Sequence, residues 1–348
     1  MKVLVYPADN YGCGHFRMIW PGEELKKAGH DVDMVRSQDR RVRIHLKDDR
    51  VIDVEIEADV VVFQRLTHKY MNQVVHILRK KGVAVVVDID DDLNAIDPNN
   101  PAWGMVHPKE KNSPHSWKHL TDACRNATLV TVSTPALLNV YASHGRGHVL
   151  PNYLPSLYDD IPHEDSDTIG WPASYHSHPN DPLVVGGAIA RLVSEGASFG
   201  MAGDTSGAGS AFGLTEDPPG KSCSVEQWPH AVASFGIGIA PLADTKFNRA
   251  KSWLKPLEMC AAGVPWVASP RDEYARLHAL GAGLLADRPR VWYRMLRDLQ
   301  RDAGRRRELS EAGSEVARSL RLEQHAWRWW EAWNKALSIQ RAGTSVMA

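Results

Sequence analysis

Short apolar segments rich in β-branched residues alternate with amphipathic segments of helical period along most of the chain. The first, MKVLVYP, precedes a turn containing Gly12 and Gly14, a helical pattern over residues 16–28, and the strand-like HDVDMV. Pro21 predicts a kink or a later start of that helix. The order then recurs through ADVVVFQR, a helix over residues 70–81, VAVVVDID, ATLVTVST and GHVLPNYLP. Such alternation predicts a parallel sheet in a doubly wound α/β domain.

The same alternation restarts after a linker at residues 157–167, which is rich in Asp, Pro, Ser and His. TIGW, SFGMAGD, FGIGIAPL and VPWVAS are predicted strands, and Asp181 is the predicted N-cap of a helix. The glycine-rich residues 205–221 are predicted to form a mobile loop. The expected fold is α/β, with two Rossmann-like doubly wound domains facing across a cleft at the carboxyl ends of their strands.

Length and charge limit the classes of function. A chain of 348 residues exceeds what one hydrophobic core normally supports, which agrees with two domains. Its 41 basic and 42 acidic residues leave a net charge of -1, so no overall field would collect nucleic acid or anionic lipid. Its four cysteines lack CxxC spacing, and no segment has the apolar length of a membrane span. We therefore expect a cytoplasmic protein without stable membrane insertion.

The most informative segment covers residues 238–269. It leaves a strand, crosses a polar loop and enters a helix near Ser252. Lys251, Lys255 and Glu258 are spaced by four and three, so they are predicted to share one side of that helix. A helix N-terminus has free N–H groups and partial positive charge, which two lysines would reinforce. The pattern suits a diphosphate, with Glu258 accepting from ribose hydroxyls; the alternative is an ordinary solvated face.

The string from Lys251 to Ser269 resembles the donor-site helix of retaining GT-B glycosyltransferases of the family 4 type. Other segments resemble the same family in the right order: GCGHFR followed by Pro21, Leu25 and GHDV, then VSTP, LPN, and IGWPAS with HPND. One position departs from the pattern. The family often has two Glu residues separated by seven others, and Ala250 stands at the first of these, with Glu258 at the second. The neighbourhood of Asn248 and Lys251 is the predicted substitute.

The resemblance implies a transferase that moves a hexosyl or pentosyl group from a nucleotide-diphosphate sugar to an acceptor hydroxyl, with retention of configuration. It implies no cofactor and no active-site metal. Residues 1–160 would form the acceptor side, residues 161–320 the donor side, and residues 321–348 a helix packing back on the first domain. In that helix Trp327, Trp330 and Trp333 are spaced by three and are predicted to share the packing face.

Donor contacts outside the helix also follow from the resemblance. The backbone at Gly12 and Gly14 would approach the diphosphate, because absent side chains allow close contact. Arg17 would add a phosphate contact if it faces the cleft. Ser174, in the loop after the first strand of the second domain, completes the expected donor site together with Ser252.

An acidic run from Asp88 to Asp92 ends a predicted strand, where open α/β sheets place functional groups. We expect Asp91 or Asp92 to bind the acceptor; the alternatives are a divalent cation site and a solvated loop. His107 is a weaker candidate for contacting the donor sugar. Residues 109–119 are predicted to form a surface loop and helix start, with an acceptor contact as the alternative. The acceptor itself stays open among sugars, lipids, proteins and modified nucleic-acid bases.

Three other functions share parts of this pattern. A non-catalytic nucleotide- or sugar-binding protein on the same scaffold would explain Ala250. A nucleotide-sugar epimerase would use the same class of substrate. A nicotinamide-dependent oxidoreductase would need an uninterrupted GxGxxG, but Gly12 and Gly14 are followed by His15, Phe16 and Arg17, so the third glycine is missing.

Overall fold

A computed structural model describes residues 1–35, 41–107 and 116–345. Residues 109–115 of the candidate acceptor stretch therefore lie outside the described part, and Ser116 begins a helix. The chain divides into two compact units. The first comprises Met1–Ile96, Trp103–Tyr153 and Leu322–Ala348, and the second comprises Asp97–Ala102 and Leu154–Arg321.

The first unit is built on a parallel sheet. Its strands are β1 (Val3–Tyr6), β2 (Val32–Met34), β3 (Val42–Lys47), β4 (Arg50–Ile56), β5 (Val60–Gln64), β6 (Ala84–Ile89), β7 (Leu129–Val132) and β8 (Gly147–Val149). Six of them pair in the order β2-β1-β5-β6-β7-β8, while β3 and β4 form a separate antiparallel hairpin. The sheet strands are apolar and mostly buried, as expected for strands covered on both faces. Strand order reverses between β1 and β5, which makes their carboxyl ends a topological switch point.

Helices connect these strands. They are Gly12–Gly14, a π-helical turn His15–Ile19, Trp20–Lys27, Met71–Lys80, a 3-10 turn Leu93–Ala95, Trp103–Val106, Ser116–Asn126, Pro135–Tyr141, Leu322–His325 and Trp327–Ser345. The π-helical turn has a clear cause at Pro21. Proline has no N–H to donate to the carbonyl of Arg17, and that carbonyl instead accepts from the indole Nε1 of Trp329 at 2.9 Å. The predicted irregularity at Pro21 therefore takes the form of a widened turn just before it.

The C-terminal helix Trp327–Ser345 contacts β5, β6 and β7 of the first unit. Trp329 and Trp333, four residues apart, are fully buried. The predicted packing stripe was therefore wrong in one member, because Trp327 is 56% exposed while Trp329 takes the interior position. Trp330 stacks on the imidazole of His30.

The second unit has a second parallel sheet. Its strands are β9 (Ile169–Pro172), β10 (Phe199–Ala202), β11 (Gly220–Lys221), β12 (Ile237–Ala240), β13 (Trp266–Ala268) and β14 (Leu284–Leu285). They pair in the order β11-β10-β9-β12-β13-β14. This is the Rossmann order, whose switch point lies between its first and fourth strands, here β9 and β12. The two sheets confirm the predicted pair of doubly wound α/β folds.

The helices of the second unit surround its sheet. They are the 3-10 turns Ser156–Tyr158, Tyr175–Ser177 and Asp181–Val185, and the α-helices Ala188–Ser194, Ala208–Phe212, Trp228–Ala233, Lys246–Arg249, Leu254–Ala261, Asp272–Ala279, Pro289–Arg301 and Ala303–Ser319. A core formed by Trp171, Phe212, Trp292 and neighbouring aliphatic side chains fills the space between sheet and helices.

Two local predictions in this unit need correction. The N-cap of the turn Asp181–Val185 is Asn180, because the Asp181 carboxylate is used elsewhere. The glycine-rich segment contains the helix Ala208–Phe212 and β11, so it is structured. Asp217 holds it by accepting from the backbone N–H groups of Gly207 and Gly209 at 3.0 and 2.8 Å.

Candidate functional site

The loops that follow β9 and β12 meet at the switch point of the second unit, and Asp181 joins them. Its Oδ1 accepts from the backbone N–H of Ala243 at 2.8 Å and from Nδ2 of Asn248 at 2.6 Å. Its Oδ2 lies 2.7 Å from Nδ1 of His178. One buried carboxylate thus fixes both loops where open α/β sheets bind ligands.

Lys255 extends this network outwards. It is the second residue of the helix Leu254–Ala261, and its Nζ lies 3.3 Å from Nε2 of His178. The same ammonium lies 5.7 Å from the centre of the Trp171 indole. Burial and the charge of Lys255 lower the pKa of His178 to about 4, so this imidazole is neutral near pH 7.

Other residues expected near the helix start occupy different positions. The helix begins at Leu254, so Lys251 and Ser252 lie in the connection before it and do not share its face with Lys255. Lys251 places its Nζ 4.3 Å from the Phe247 ring centre. The residue before the helix, Trp253, provides no side-chain cap.

Asn248 belongs to the neighbourhood that is predicted to substitute for the missing glutamate, and that role stays a prediction. Its Nδ2 donates to Asp181 and, at 3.1 Å, to the carbonyl of Ala243, so both amide hydrogens are committed to holding the loop after β12. Ala250 is itself buried. The position that carries glutamate in the resembling family is therefore an interior apolar site here.

Glu258 lies one turn beyond Lys255, as its spacing predicts, but the residue is only 5% exposed. It accepts hydrogen bonds from the hydroxyl of Tyr158 and from the side chain of Trp228. Burial raises its pKa to about 7, although both hydrogen bonds and the charge of Lys255 oppose the shift. The role towards a ribose stays a prediction.

Ser174 links two loops of the second unit. Its hydroxyl accepts from the backbone N–H of Asp204 at 3.1 Å, which joins the loop after β9 to the loop after β10. Its predicted contact with the donor is not tested by this bond.

The switch point of the first unit lies where β1 and β5 end. Gln64, the last residue of β5, accepts from the N–H of Ala8 at 3.0 Å and donates to the carbonyl of Cys13 at 3.2 Å. The expected glycine loop is therefore held against β5, and Gly12–Gly14 forms a helical turn.

The two glycines of this turn differ in their surroundings. A Cβ on Gly14 would lie 1.9 Å from the carbonyl oxygen of Asp9, whereas a Cβ on Gly12 would meet nothing within 4 Å. The N–H of Gly14 already donates to Oδ1 of Asp9 at 3.0 Å. Glycine at 14 is thus required by local packing, and the approach of this turn to the diphosphate stays a prediction.

Arg17 corrects another predicted donor contact. It is 1% exposed, and its Nε and Nη2 donate to the two carboxylate oxygens of Asp88 at 3.1 and 2.8 Å. Its Nη1 donates to the carbonyl of Leu150 and, at 2.9 Å, to Oδ1 of Asn152. These partners direct the guanidinium into the core of the first unit, so Arg17 has a structural role in place of the expected phosphate contact.

The acidic run divides into structural and accessible carboxylates. Asp88 pairs with Arg17, and Asp90 accepts from Arg65 at 2.6 Å on each oxygen. Asp92 is 1% exposed and accepts from the hydroxyl of Tyr141 at 3.2 Å, so burial disfavours it as an acceptor ligand. The side chain of Asp91 is 20% exposed, the largest value in the run, and it remains the candidate for acceptor binding.

Arg65 is a feature that sequence reasoning missed. It follows β5 directly and has a positive φ of 53°, which is uncommon for a residue with a side chain. Its guanidinium pairs with Asp90, lies 3.7 Å from Asp91 and donates to Sγ of Cys13 at 3.1 Å. Strained backbone that is held by several partners often occurs at functional sites. Its position at the carboxyl end of a predicted strand was the available signal.

His107, predicted to approach the donor sugar, directly follows the short helix Trp103–Val106 and stacks on the Trp103 ring. Within the described ranges, no group of three His, Cys, Asp or Glu side chains has the arrangement of a metal site. No helix in the part of the chain that the structure describes has both the length and the apolar character to cross a membrane.

Comparison with known proteins gives matches at the level of structure. No protein-family model matches the sequence, and no curated protein does. Sucrose-phosphate synthase from Thermosynechococcus elongatus superposes with a TM-score of 0.62 at 14% identity, covering 97% of this chain and 100% of that one. HepE from Anabaena, solved with UDP, gives 0.63 at 12% identity, covering 95% and 99%.

A third structure is an α-glucosyltransferase solved with UDP and a 13-mer DNA containing an HMU base. It superposes with a TM-score of 0.60 at 12% identity, covering 97% of this chain and 99% of that one. Identities this low establish the fold alone. The chain has the GT-B fold of these glycosyltransferases.

Proposed function

We propose that this protein is a glycosyltransferase that takes a sugar from a nucleotide-diphosphate sugar. The observation that carries the proposal is the network of Asp181, His178 and Lys255 at the β9–β12 switch point. Sheets with the Rossmann order bind nucleotides at this point, and the network holds a lysine there. The shared fold supports it, because two of the superposed structures are complexes with UDP. We therefore expect a UDP-type donor.

The second unit provides the donor site in this proposal. Lys255 and Lys251 bind the diphosphate, helped by the N-terminal N–H groups of the helix Leu254–Ala261. Glu258 accepts from a ribose hydroxyl, which replaces the Tyr158 hydroxyl as its partner. The first unit provides the acceptor site, with Asp91 orienting the acceptor hydroxyl at the carboxyl end of β6.

The reaction breaks the bond between the anomeric carbon and the diphosphate oxygen, and forms a bond from that carbon to the acceptor oxygen. Negative charge develops on the departing diphosphate, and the fixed ammonium of Lys255 stabilises it. The acceptor hydroxyl gives its proton to the carboxylate of Asp91, which acts as the general base, as its oxygen becomes bonded to the anomeric carbon. We propose that configuration is retained, on the basis of the family resemblance of the donor helix.

Lys255→Ala is expected to weaken UDP binding by about 10- to 100-fold, because a charge-assisted hydrogen bond to an anion is worth about 1.5–3 kcal/mol. A thermal-shift panel of UDP, GDP, ADP, CMP and TDP compounds, their sugar derivatives and NAD measures this on both proteins. Arg191→Ala is the matched control, since it removes one exposed positive charge from the same unit. Stabilisation by NAD alone would contradict the proposal and indicate an oxidoreductase.

Asp91→Asn is expected to lower the rate of sugar transfer by about 100-fold while leaving UDP affinity unchanged, because a general base contributes at least that factor. Release of UDP from the donor, with water or an added acceptor, measures the rate. Asp122→Asn, on the helix Ser116–Asn126, is the control. An equal loss of UDP affinity in Asp91→Asn would contradict an acceptor role.

A further inference from the structure

We propose that His178 and Asp181 are positioning residues that hold the ammonium of Lys255 in place for the donor's diphosphate. The inference rests on the proposed function and adds to it a hydrogen-bonded chain of three side chains, Asp181, His178 and Lys255, here called the relay. Its basis is one chain of contacts, from Asp181 through the two ring nitrogens of His178 to Nζ of Lys255, with distances of 2.7 and 3.3 Å.

The hydrogen-bond chemistry assigns the His178 tautomer. Burial disfavours the ionised form of Asp181, but its hydrogen bonds from His178 and Ala243 keep the pKa of this carboxyl below its ordinary value. An ionised carboxylate only accepts, so Nδ1 of His178 carries the proton and donates it. Nε2 then has a lone pair, and the ammonium of Lys255 donates to it.

The base of this relay is rigid. The Asp181 side chain is buried, and its oxygens accept from the loop after β12 through Ala243 and Asn248 as well as from His178. The imidazole therefore cannot rotate without breaking a hydrogen bond to a buried carboxylate. The Trp171 indole also packs against the imidazole of His178. The two ring centres lie 6.2 Å apart, in an edge-to-face arrangement.

A neutral partner suits a lysine that is to bind a diphosphate. Lysine has a flexible four-carbon side chain that loses rotamer freedom when its ammonium is fixed. A carboxylate would fix it but would also cancel its charge. Neutral His178 contacts the ammonium of Lys255 without adding a negative charge beside it. Pre-organised charge of this kind increases affinity by lowering the cost of ordering.

Substitutions at His178 separate the two halves of the relay. His178→Asn retains a donor near the position of Nδ1 for Asp181, but its shorter side chain places no acceptor at the position of Nε2 for Lys255. His178→Gln places an acceptor near Nε2 and loses the bond to Asp181. We expect His178→Asn to weaken UDP binding by about tenfold and His178→Gln to retain most of the affinity. Uridine, which has no phosphate, is expected to bind all variants alike.

A double-substitution cycle then tests the route of the effect. In the Lys255→Ala background, His178→Asn is expected to change UDP affinity by no more than about twofold, because the two side chains act as one unit. Titration calorimetry with UDP, uridine and inorganic pyrophosphate gives the affinities, and thermal unfolding verifies that each variant is folded. Should a variant fail to fold, 15N NMR of the wild-type imidazoles gives a second test, in which His178 must show the Nδ1–H tautomer.

The outcomes distinguish this inference from the proposed function. If UDP binding needs Lys255 but the Asn and Gln variants weaken it equally, the relay is overturned and the proposed function is not. Additive effects in the double-substitution cycle would have the same meaning. A parallel loss of uridine binding would also overturn it, because that would indicate a general structural role. A wild-type protein that binds neither UDP nor pyrophosphate would overturn both proposals.

Discussion

Replacing Arg17 with methionine is expected to destabilise the first unit by about 3–5 kcal/mol, because it leaves a buried carboxylate without its cation. Arg17 and Asp88 are almost inaccessible to solvent, and the ion pair between them joins the helical entry at residues 12–27 to β6. The hydroxyl of Thr131 donates to Oδ2 of Asp88 at 2.7 Å, but it carries no charge to compensate for the lost guanidinium. Unfolding in urea, followed by circular dichroism, measures the loss.

A second substitution tests the reason for that loss. Arg17→Met combined with Asp88→Asn removes the unpaired charge, so the double variant is expected to be more stable than Arg17→Met alone. Arg125→Met is the control, since Arg125 is exposed on the helix Ser116–Asn126 and should change stability by less than about 0.5 kcal/mol. If Arg17→Met kept its stability but lost UDP binding, Arg17 would be the phosphate ligand that the sequence pattern suggested.

The stability of Glu258→Gln relative to the wild type is expected to increase with pH. The difference in unfolding free energy should shift in favour of the variant by about 3 kcal/mol between pH 4.5 and pH 8. Burial raises the pKa of Glu258 from 4.5 to about 7 in the folded protein. The folded value is above the unfolded one, so the contribution of this group to stability is complete below pH 4.5. This contribution to the free energy of unfolding is lost progressively as the pH rises through about 7. Glutamine does not ionise, so the variant does not lose stability in this way.

Urea unfolding of both proteins at pH 4.5 and pH 8 gives the difference in unfolding free energy at each pH. Glu308→Gln, at an exposed position of the helix Ala303–Ser319, is the matched control and should change this difference by less than about 0.5 kcal/mol. A difference that stayed constant with pH would mean that hydrogen bonds from Tyr158 and Trp228 keep Glu258 ionised despite its burial.

Most of the strands could be predicted because buried parallel strands are continuous apolar runs. Val60–Gln64 and Ala84–Ile89 have this character, and both occur where expected. The hairpin of β3 and β4 was missed because polar and apolar residues are mixed in VRIHLK and RVIDVEI. Its turn is formed by Asp48 and Asp49, both with positive φ, without the glycine that usually indicates such a turn.

The site could be predicted only where one helix carries it. Lys255 and Glu258 lie three residues apart on the helix Leu254–Ala261, so their proximity follows from helical geometry. Asp181 could not be assigned in this way, because its partners Ala243 and Asn248 are more than 60 residues away and meet it only through sheet order. The position of Arg17 in the chain, shortly after the first predicted strand, indicated that it lies near the carboxyl edge of the sheet. It did not indicate that the side chain is buried in the core.

The central claim is transfer of a sugar from a nucleotide-diphosphate donor, and 31P NMR of the protein incubated with UDP-sugars tests it most directly. We predict that the resonances of the donor are replaced by those of UDP, with the sugar appearing on water or on an added acceptor, and that Lys255→Ala slows this conversion. Donor resonances that persist unchanged with the wild-type protein, or conversion into an epimeric nucleotide sugar without release of UDP, would contradict the account.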